Sequence, residues 1–381
     1  MFDTYESEEQ DILFLLDTIT QDIVNEFNIV LGNEQLLIVK HNTDNPEAFK
    51  AYSFGESYFE KGTHEGFRAA QENFKKATNL DKNYALAYIG LAKTFLARGA
   101  WFGDMVPKDA YREAETAIRD ALKIDNNMGE AHTLLGWIEH TFNWNWAEAK
   151  NKFELGISYS PNSPITHFYY VNYLRCFGRL DEALAQCNIG LEKDHTSSNG
   201  LTELSFIYLQ QGEIDQAFNT AMGVYGMYSD RPACIFTLGY MHYVKGETDE
   251  ALELWRKFAT EPKADSINLC FLGRLYALKG EKDNAEDILV RLENKEERGY
   301  FVIASLYDAL GKKNDALKYL KKGLTERDPH MVWLSWLERI PESEVKPKIC
   351  ELEPFYNLSN DPNFIEIINQ MNFPKEQLWH P

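Results

Sequence analysis

GRLDEALAQ at residues 178–186, GEIDQAFNT at 212–220, GETDEALEL at 246–254 and GEKDNAEDI at 280–288 decide the fold of this chain. Each begins with glycine, each carries alanine five residues on, and each comes 34 residues after the last. Leu204, Leu238 and Leu272 keep the same step on a third track. Small residues at fixed offsets with such a period mark stacked helix–turn–helix hairpins, in which neighbours bury the apolar face that no hairpin can bury alone. The spacing therefore predicts an all-α fold, a right-handed superhelical solenoid of about eight hairpins.

Pro164 to Glu296 holds four regular repeats, and the pattern extends in both directions. Upstream, Ala48–Lys61 and Gly66–Leu80 form a first pair. A second pair starts at Tyr84 and carries Ala114, Ile118 and Ala121 on its second helix; a third starts at Ala131 and carries Ala149 and Phe153. Downstream, an eighth repeat shortened to 31 residues holds Tyr300, Tyr307, Gly311, Ala316 and Leu320. The second pair contains an insertion with Trp101, Phe102 and Pro107, and the turn of the third contains Phe142, Trp144 and Trp146. Ahead of the array, Ile12, Leu15, Leu16, Ile19, Ile23, Phe27 and Val30 recur at helical spacing and predict a lone helix over Asp11–Leu37. Behind it, short apolar pieces separated by prolines predict a cap. The expected division is 1–40 for the amino-terminal helix or the tail of an upstream domain, 41–328 for the solenoid and 329–381 for the cap.

Within a repeat, Ala92, Gly136, Ser205, Gly239, Gly273 and Ala304 take the eighth position, and alanine takes the twentieth. Two small residues let the helix axes approach while larger neighbours interlock around them. Val171 breaks that rule, which predicts a wider fourth hairpin. Gly212, Gly246, Gly280 and Gly311 are placed to end the first helices in a left-handed cap.

Composition narrows the function. The chain has 381 residues, 59 acidic against 39 basic, for a net charge of −20. That balance disfavours nucleic acid and anionic membrane surfaces, which reward clustered Lys and Arg, and it suits a soluble surface or a basic partner. Cys176, Cys187, Cys234, Cys270 and Cys350 are scattered without a C-x-x-C, so no disulfide frame or metal site is expected. Met1 is succeeded by Asp3, Glu6, Glu8, Glu9 and Asp11, which does not read as a secretory signal. No apolar run reaches the roughly 20 residues of a membrane span. Phosphate loops, dinucleotide fingerprints, zinc-protease and serine-hydrolase motifs are all missing. His132 and His167 fall on packing positions, and the carboxylates on solvated helix faces, so the chain is read as non-enzymatic and free of cofactors.

The spacing resembles that of tetratricopeptide repeat (TPR) proteins. More narrowly, the chain resembles the C-terminal TPR region of bacterial multidomain regulators, where the array comes after a TolB-like segment joined to a winged-helix, nucleotide cyclase or kinase domain. The stretches that carry this are DILFLLDTITQDIV (11–24), NPEAFKAYSFGESY (45–58), NYALAYIGLAKTF (83–95), GEAHTLLGWIEHTFNWNWAEAKNKFE (129–154), ERDPHMVWL (326–334) and DPNFIEIINQMNFP (361–374). Asn145 stands where that family more often has Asp. The resemblance implies the regulatory or interaction half of a signalling or transcription regulator, and carries over no effector activity to any residue here. The scattered cysteines, read as reduced buried thiols, point to a cytoplasmic location; the resemblance adds the periplasm, in a membrane-anchored regulator, as the alternative.

In a TPR array the first helices line the concave face through their second, fifth, ninth and twelfth positions. Those positions hold Trp137, His140, Phe168, Asn172, Arg175, Phe206, Tyr240, Tyr243 and Arg274, with Thr202, Phe236, Phe301 and Asp308. Aromatic side chains with a few fixed polar groups suit a peptide groove; packing between repeats is the competing use. Asn172 matches the groove asparagine of the clamp that holds C-terminal carboxylates, but Phe168 stands where that clamp needs Lys and Phe206 where it needs a second Asn. The expected partner is a protein or peptide on the concave face. The alternative is a small molecule sensed at the aromatic end by Trp101, Phe102, Trp144 and Trp146.

Overall fold

The computed structural model describes residues 43–100, 104–259, 265–295, 299–335 and 354–373. The helix expected over Asp11–Leu37 lies outside the described residues, as do Trp101, Phe102 and Cys350. Among the described residues sixteen helices pair into eight hairpins, forming an all-α solenoid. The first four hairpins are α1 (Pro46–Glu60) with α2 (His64–Leu80), α3 (Ala85–Ala100) with α4 (Pro107–Ile124), α5 (Gly129–Ile138) with α6 (Trp146–Tyr159), and α7 (Pro164–Cys176) with α8 (Leu180–Lys193). The second four are α9 (Ser198–Gln211) with α10 (Ile214–Met227), α11 (Pro232–Val244) with α12 (Thr248–Ala259), α13 (Ser266–Leu278) with α14 (Lys282–Glu293), and α15 (Tyr300–Ala309) with α16 (Lys313–Glu326).

The crossings are tight where the small residues predict it. Ala114, Ala149, Ala183, Ala217, Ala251, Ala285 and Ala316 are all fully buried. Ser205 donates its hydroxyl to the carbonyl of Ala217 at 2.7 Å, so the opposing backbone lies within reach of one short side chain. Trp255 lies against the space a side chain at Gly239 would need: a Cβ there would sit 2.5 Å from the indole Nε1. Between the helices, Gly178, Gly212, Gly246, Gly280 and Gly311 have φ of 64°, 85°, 83°, 78° and 74°. After each glycine the next N–H returns to a carbonyl five residues earlier, as in Glu213 to Tyr208 at 2.8 Å and Glu281 to Tyr276 at 2.9 Å. This pairing satisfies the carbonyls that a helix end leaves open.

The third hairpin departs from the rule. Thirteen residues separate Gly136 from Ala149, against twelve from Ser205 to Ala217. The extra residue is absorbed in a π-helical turn over Glu139–Asn143, closed by Trp144 at φ 55°. A π turn inserts one residue into the helix and rotates the side chains beyond it. His140, inside that turn, is rotated into the core among Trp146, Tyr173 and Phe177, with Cys176 Sγ 3.6 Å from its Nε2. Burial holds its imidazole down to about 3.

Both ends of the array fold back on its middle. A 3₁₀ segment, Pro329–Ser335, leaves the eighth hairpin, and a last helix, α17 (Pro362–Gln370), packs beyond it. Asp308 accepts the N–H of Phe355 at 2.9 Å. Further on, Phe373 stacks on Trp146 at 4.8 Å, and the indole N–H of Trp146 donates to the carbonyl of Asn372 at 2.9 Å. Arg327 lies over Trp144 at 4.1 Å. At the opposite end Glu60 of the first hairpin meets Arg231, at the entry to the sixth, at 3.4 Å.

The packing sets two expected outcomes. Gly239→Ala and Ala251→Leu overfill the sixth crossing and lower stability by about 1–3 kcal/mol. Gly223→Ala, which meets nothing within 4 Å, raises it by roughly 0.5–1 kcal/mol through lost backbone freedom in the unfolded chain. Thermal and urea melts that rank Gly239→Ala level with Gly223→Ala would contradict the tight crossing. The second outcome concerns His140. Its folded pKa lies below the ordinary 6.5, so the unfolded chain takes up the proton first and acid favours unfolding. The contribution is complete above about 6.5 and fades as the pH falls towards 3. From pH 7 to pH 5 the stability gap between wild type and His140→Gln should shift by about 2 kcal/mol in the variant's favour. A gap that does not change with pH would place the imidazole in contact with water.

Candidate binding chamber

Curling of the array leaves a cavity of about 610 Å³ along its axis. First helices from all eight hairpins reach it, and Trp333 and Pro354 of the carboxy-terminal segment close one end beside Phe301. First helices line an inner wall because second helices, carrying the small crossing residues, pack outside them.

Of the residues predicted for the groove, the structure brings Trp137, Phe168, Asn172, Arg175, Phe206 and Tyr240 to this cavity, together with Thr202, Phe236 and Phe301. Four others, His140, Tyr243, Arg274 and Asp308, lie away from it. His140 is turned into the core by the π turn. Tyr243 is buried off the cavity wall. Arg274 is 1% exposed and donates to Ser305 Oγ at 3.1 Å, with the Asp308 carboxylate 3.8 Å away. Phe355 covers that region through its bond to Asp308, which takes the wall of the last two hairpins out of the cavity except at Ile267, Asn268, Phe271 and Phe301. Trp144 and Trp146 do not line the cavity either, because the carboxy-terminal segment occupies their faces.

Several cavity residues went unnoticed in the sequence. Lys93 and Glu130 stand at the ninth and second positions of their repeats, so extending the same rule to the second and third hairpins finds them. Glu203 and Phe271 sit at the sixth position, beside the fifth, and the asparagine at 268 sits at the third. Arg231 and Trp333 belong to no helix position and carry no sequence signal of their own.

The polar groups form a fixed network. Arg175 donates from Nε to Gln210 at 2.9 Å and from Nη1 to Glu203, and lies over the Phe206 ring at 4.9 Å. Asn172 also donates to Glu203, at 3.3 Å. Lys93 reaches Glu56 at 3.1 Å. Burial acts to lower the pKa of Lys93, but Glu56 and Glu130 outweigh it and leave the ammonium more firmly protonated. Arg231 donates to Ser198 Oγ at 2.6 Å and stacks on Tyr228 at 4.3 Å, besides meeting Glu60. Among the described residues each of the three cavity cations is thus held by a carboxylate. The cavity also holds Glu130, Asp194 and Asp265, which accept hydrogen bonds from Ser163, Thr196 and Asn268 and form no ion pair among the described residues. No group of histidine, cysteine and acidic side chains among the described residues is arranged to hold a metal ion, and no described helix is long and apolar enough to cross a membrane.

The sequence profile of the tetratricopeptide repeat matches residues 297–328. Among solved structures the fold is similar to the human IFIT1 dimer with m7Gppp-AAAA, at 16% identity over 80% of this chain and 76% of that one, with a TM-score of 0.55. The human IFIT1 dimer with PPP-AAAA is similar at 16% identity over 73% and 72%, with a TM-score of 0.54. Yeast Tom70 aligns at 14% identity over 89% and 70%, with a TM-score of 0.48. No curated protein matches the sequence. The chain thus folds as a solenoid of eight stacked helix hairpins like those of TPR proteins, with a 34-residue step through its regular repeats and a tetratricopeptide repeat matched at residues 297–328.

Proposed function

We propose that this chain is a non-catalytic scaffold that takes a short extended segment of a partner protein into its axial chamber. The observation that carries the reading is the convergence of Trp137, Phe168, Phe206 and Tyr240 from four successive hairpins on one cavity that also holds fixed polar groups. Rigid aromatic surface gives a ligand large contact at low entropic cost, and oriented polar groups set its register. The resemblance to bacterial multidomain regulators supports a role as the interaction half of a signalling or transcription-control protein, and the domain division at residues 41 and 328 goes with it. The neighbours' capped and triphosphorylated RNA does not transfer, since a chain of net charge −20 whose cavity cations are already paired offers little to phosphates.

One observation favours a second reading. A volume of about 610 Å³ is also the size of a small-molecule pocket. Selection from a displayed peptide library separates the two. Enriched peptides should bind wild type and the exposed-site control Met222→Ala alike, and should lose about tenfold or more in affinity on Trp137→Ala or Tyr240→Ala. Failure to enrich any peptide, or peptides that bind all four proteins equally, would overturn the peptide reading. A tryptophan-fluorescence response to a metabolite panel would then support the small molecule.

A further inference from the structure

Building on the peptide reading, we infer that the chamber selects a cationic side chain, a lysine or arginine of the incoming segment, and seats it between the fifth and seventh hairpins. Three features of the cavity argue for it.

The first is charge. Among the described residues each of the three cavity cations is held by a carboxylate, and the lining sets five carboxylates, those of Glu60, Glu130, Asp194, Glu203 and Asp265, against them. A ligand anion would meet this acidic excess and would have to break a partly buried ion pair to find a cation, at a cost that the new contact does not recover. A ligand cation meets the opposite situation.

The second is an orphaned acceptor. Asn268 is 2% exposed and lines the cavity, and among the described residues its Oδ1 has no hydrogen-bond partner. Its orientation is unambiguous, because Nδ2 faces two acceptors, the Pro232 carbonyl at 3.1 Å and Asp265 Oδ2 at 2.7 Å. A buried acceptor left unmet is costly, and a ligand donor that reaches it on a small shift of the side chain removes that cost. Among the described residues Thr202 Oγ1, in the cavity lining from the fifth hairpin, is likewise buried and unpartnered.

The third is the rings. Phe236 lies one helical turn after Pro232, and Phe271 one turn after Asn268; their centroids are 5.0 Å apart, edge to face. Tyr240 and Phe206 extend the group, at 5.8 Å from Phe271 and 6.2 Å from Phe236 respectively. The π faces of such a group attract an ammonium or guanidinium once water is excluded, while the rings accept the aliphatic stem. An uncharged apolar side chain would satisfy the rings but leave Asn268 Oδ1 and Thr202 Oγ1 unmet.

The test uses the full chain and capped hexapeptide libraries fixed at one central position as Lys, Arg, norleucine or Glu, read by native mass spectrometry. Lys and Arg libraries should be retained about tenfold or more over norleucine, and Glu should fall below norleucine. Phe236→Leu should weaken the Lys library by roughly three- to thirty-fold and norleucine by less than about twofold. Equal retention of Lys and norleucine by wild type would overturn the cationic subsite while leaving peptide binding intact. Retention of no library at all would instead overturn the peptide reading on which the inference rests. A 5′-triphosphorylated tetra-adenylate serves as the competing probe: its displacement of the Lys library would show an anion site and reject the proposal, and its indifference would support it. Because the Lys-to-norleucine ratio is read on wild type, the inference stays testable even if Phe236→Leu does not fold.

Discussion

At the fifth, sixth and seventh hairpins a buried alanine of the second helix, Ala217, Ala251 or Ala285, answers a serine or glycine of the first, and at the fifth the two backbones close to within reach of one hydroxyl. That approach fixes the crossing of the pair. It also leaves the large residues no place but the flanks, where they interlock with the next pair and carry the core along the chain. A repeated crossing adds the same small rotation each time, so a constant local geometry accumulates into global curvature. The inner wall is thus a consequence of small side chains that never touch it.

Curvature alone would make an open trough. The structure instead shows a chamber, because contacts between residues far apart in sequence bring both ends of the array onto its middle. Trp146 and Asn372 are separated by 226 positions, and Glu60 and Arg231 by 171. The carboxy-terminal segment has two effects. It satisfies the exposed end of the last hairpin, as a terminal cap must, and it withdraws Arg274 and Asp308 from the inner wall. The part of the wall left lining the cavity belongs mainly to the second to seventh hairpins, whose first helices carry most of its aromatic side chains.

Ion pairing then shapes what that wall can accept. Lys93, Arg175 and Arg231 bring positive charge inward, but each is committed to a carboxylate from a neighbouring or distant hairpin. Such pairs contribute little net stability once desolvation is counted, yet they orient Gln210, Asn172 and the Phe206 ring around them. The residual character of the chamber is acidic and aromatic, a narrower description than the net charge of the chain suggests.

The eight-hairpin fold was legible in the sequence, because its cause is local and periodic: glycine at a left-handed turn and alanine at a crossing recur at a fixed step whatever lies outside the repeat. Six of the nine residues expected in a groove line the cavity for the same reason, since a helix position fixes the direction of a side chain. His140 was misplaced although its signal was present, as one extra residue between Gly136 and Ala149 requires a π turn that rotates it inward. For Arg274, Trp144 and Trp146 no local signal existed. Their surroundings were decided by where the chain's ends arrive after eight hairpins of accumulated rotation, and a repeat pattern specifies each rotation without specifying which distant residues the sum brings together.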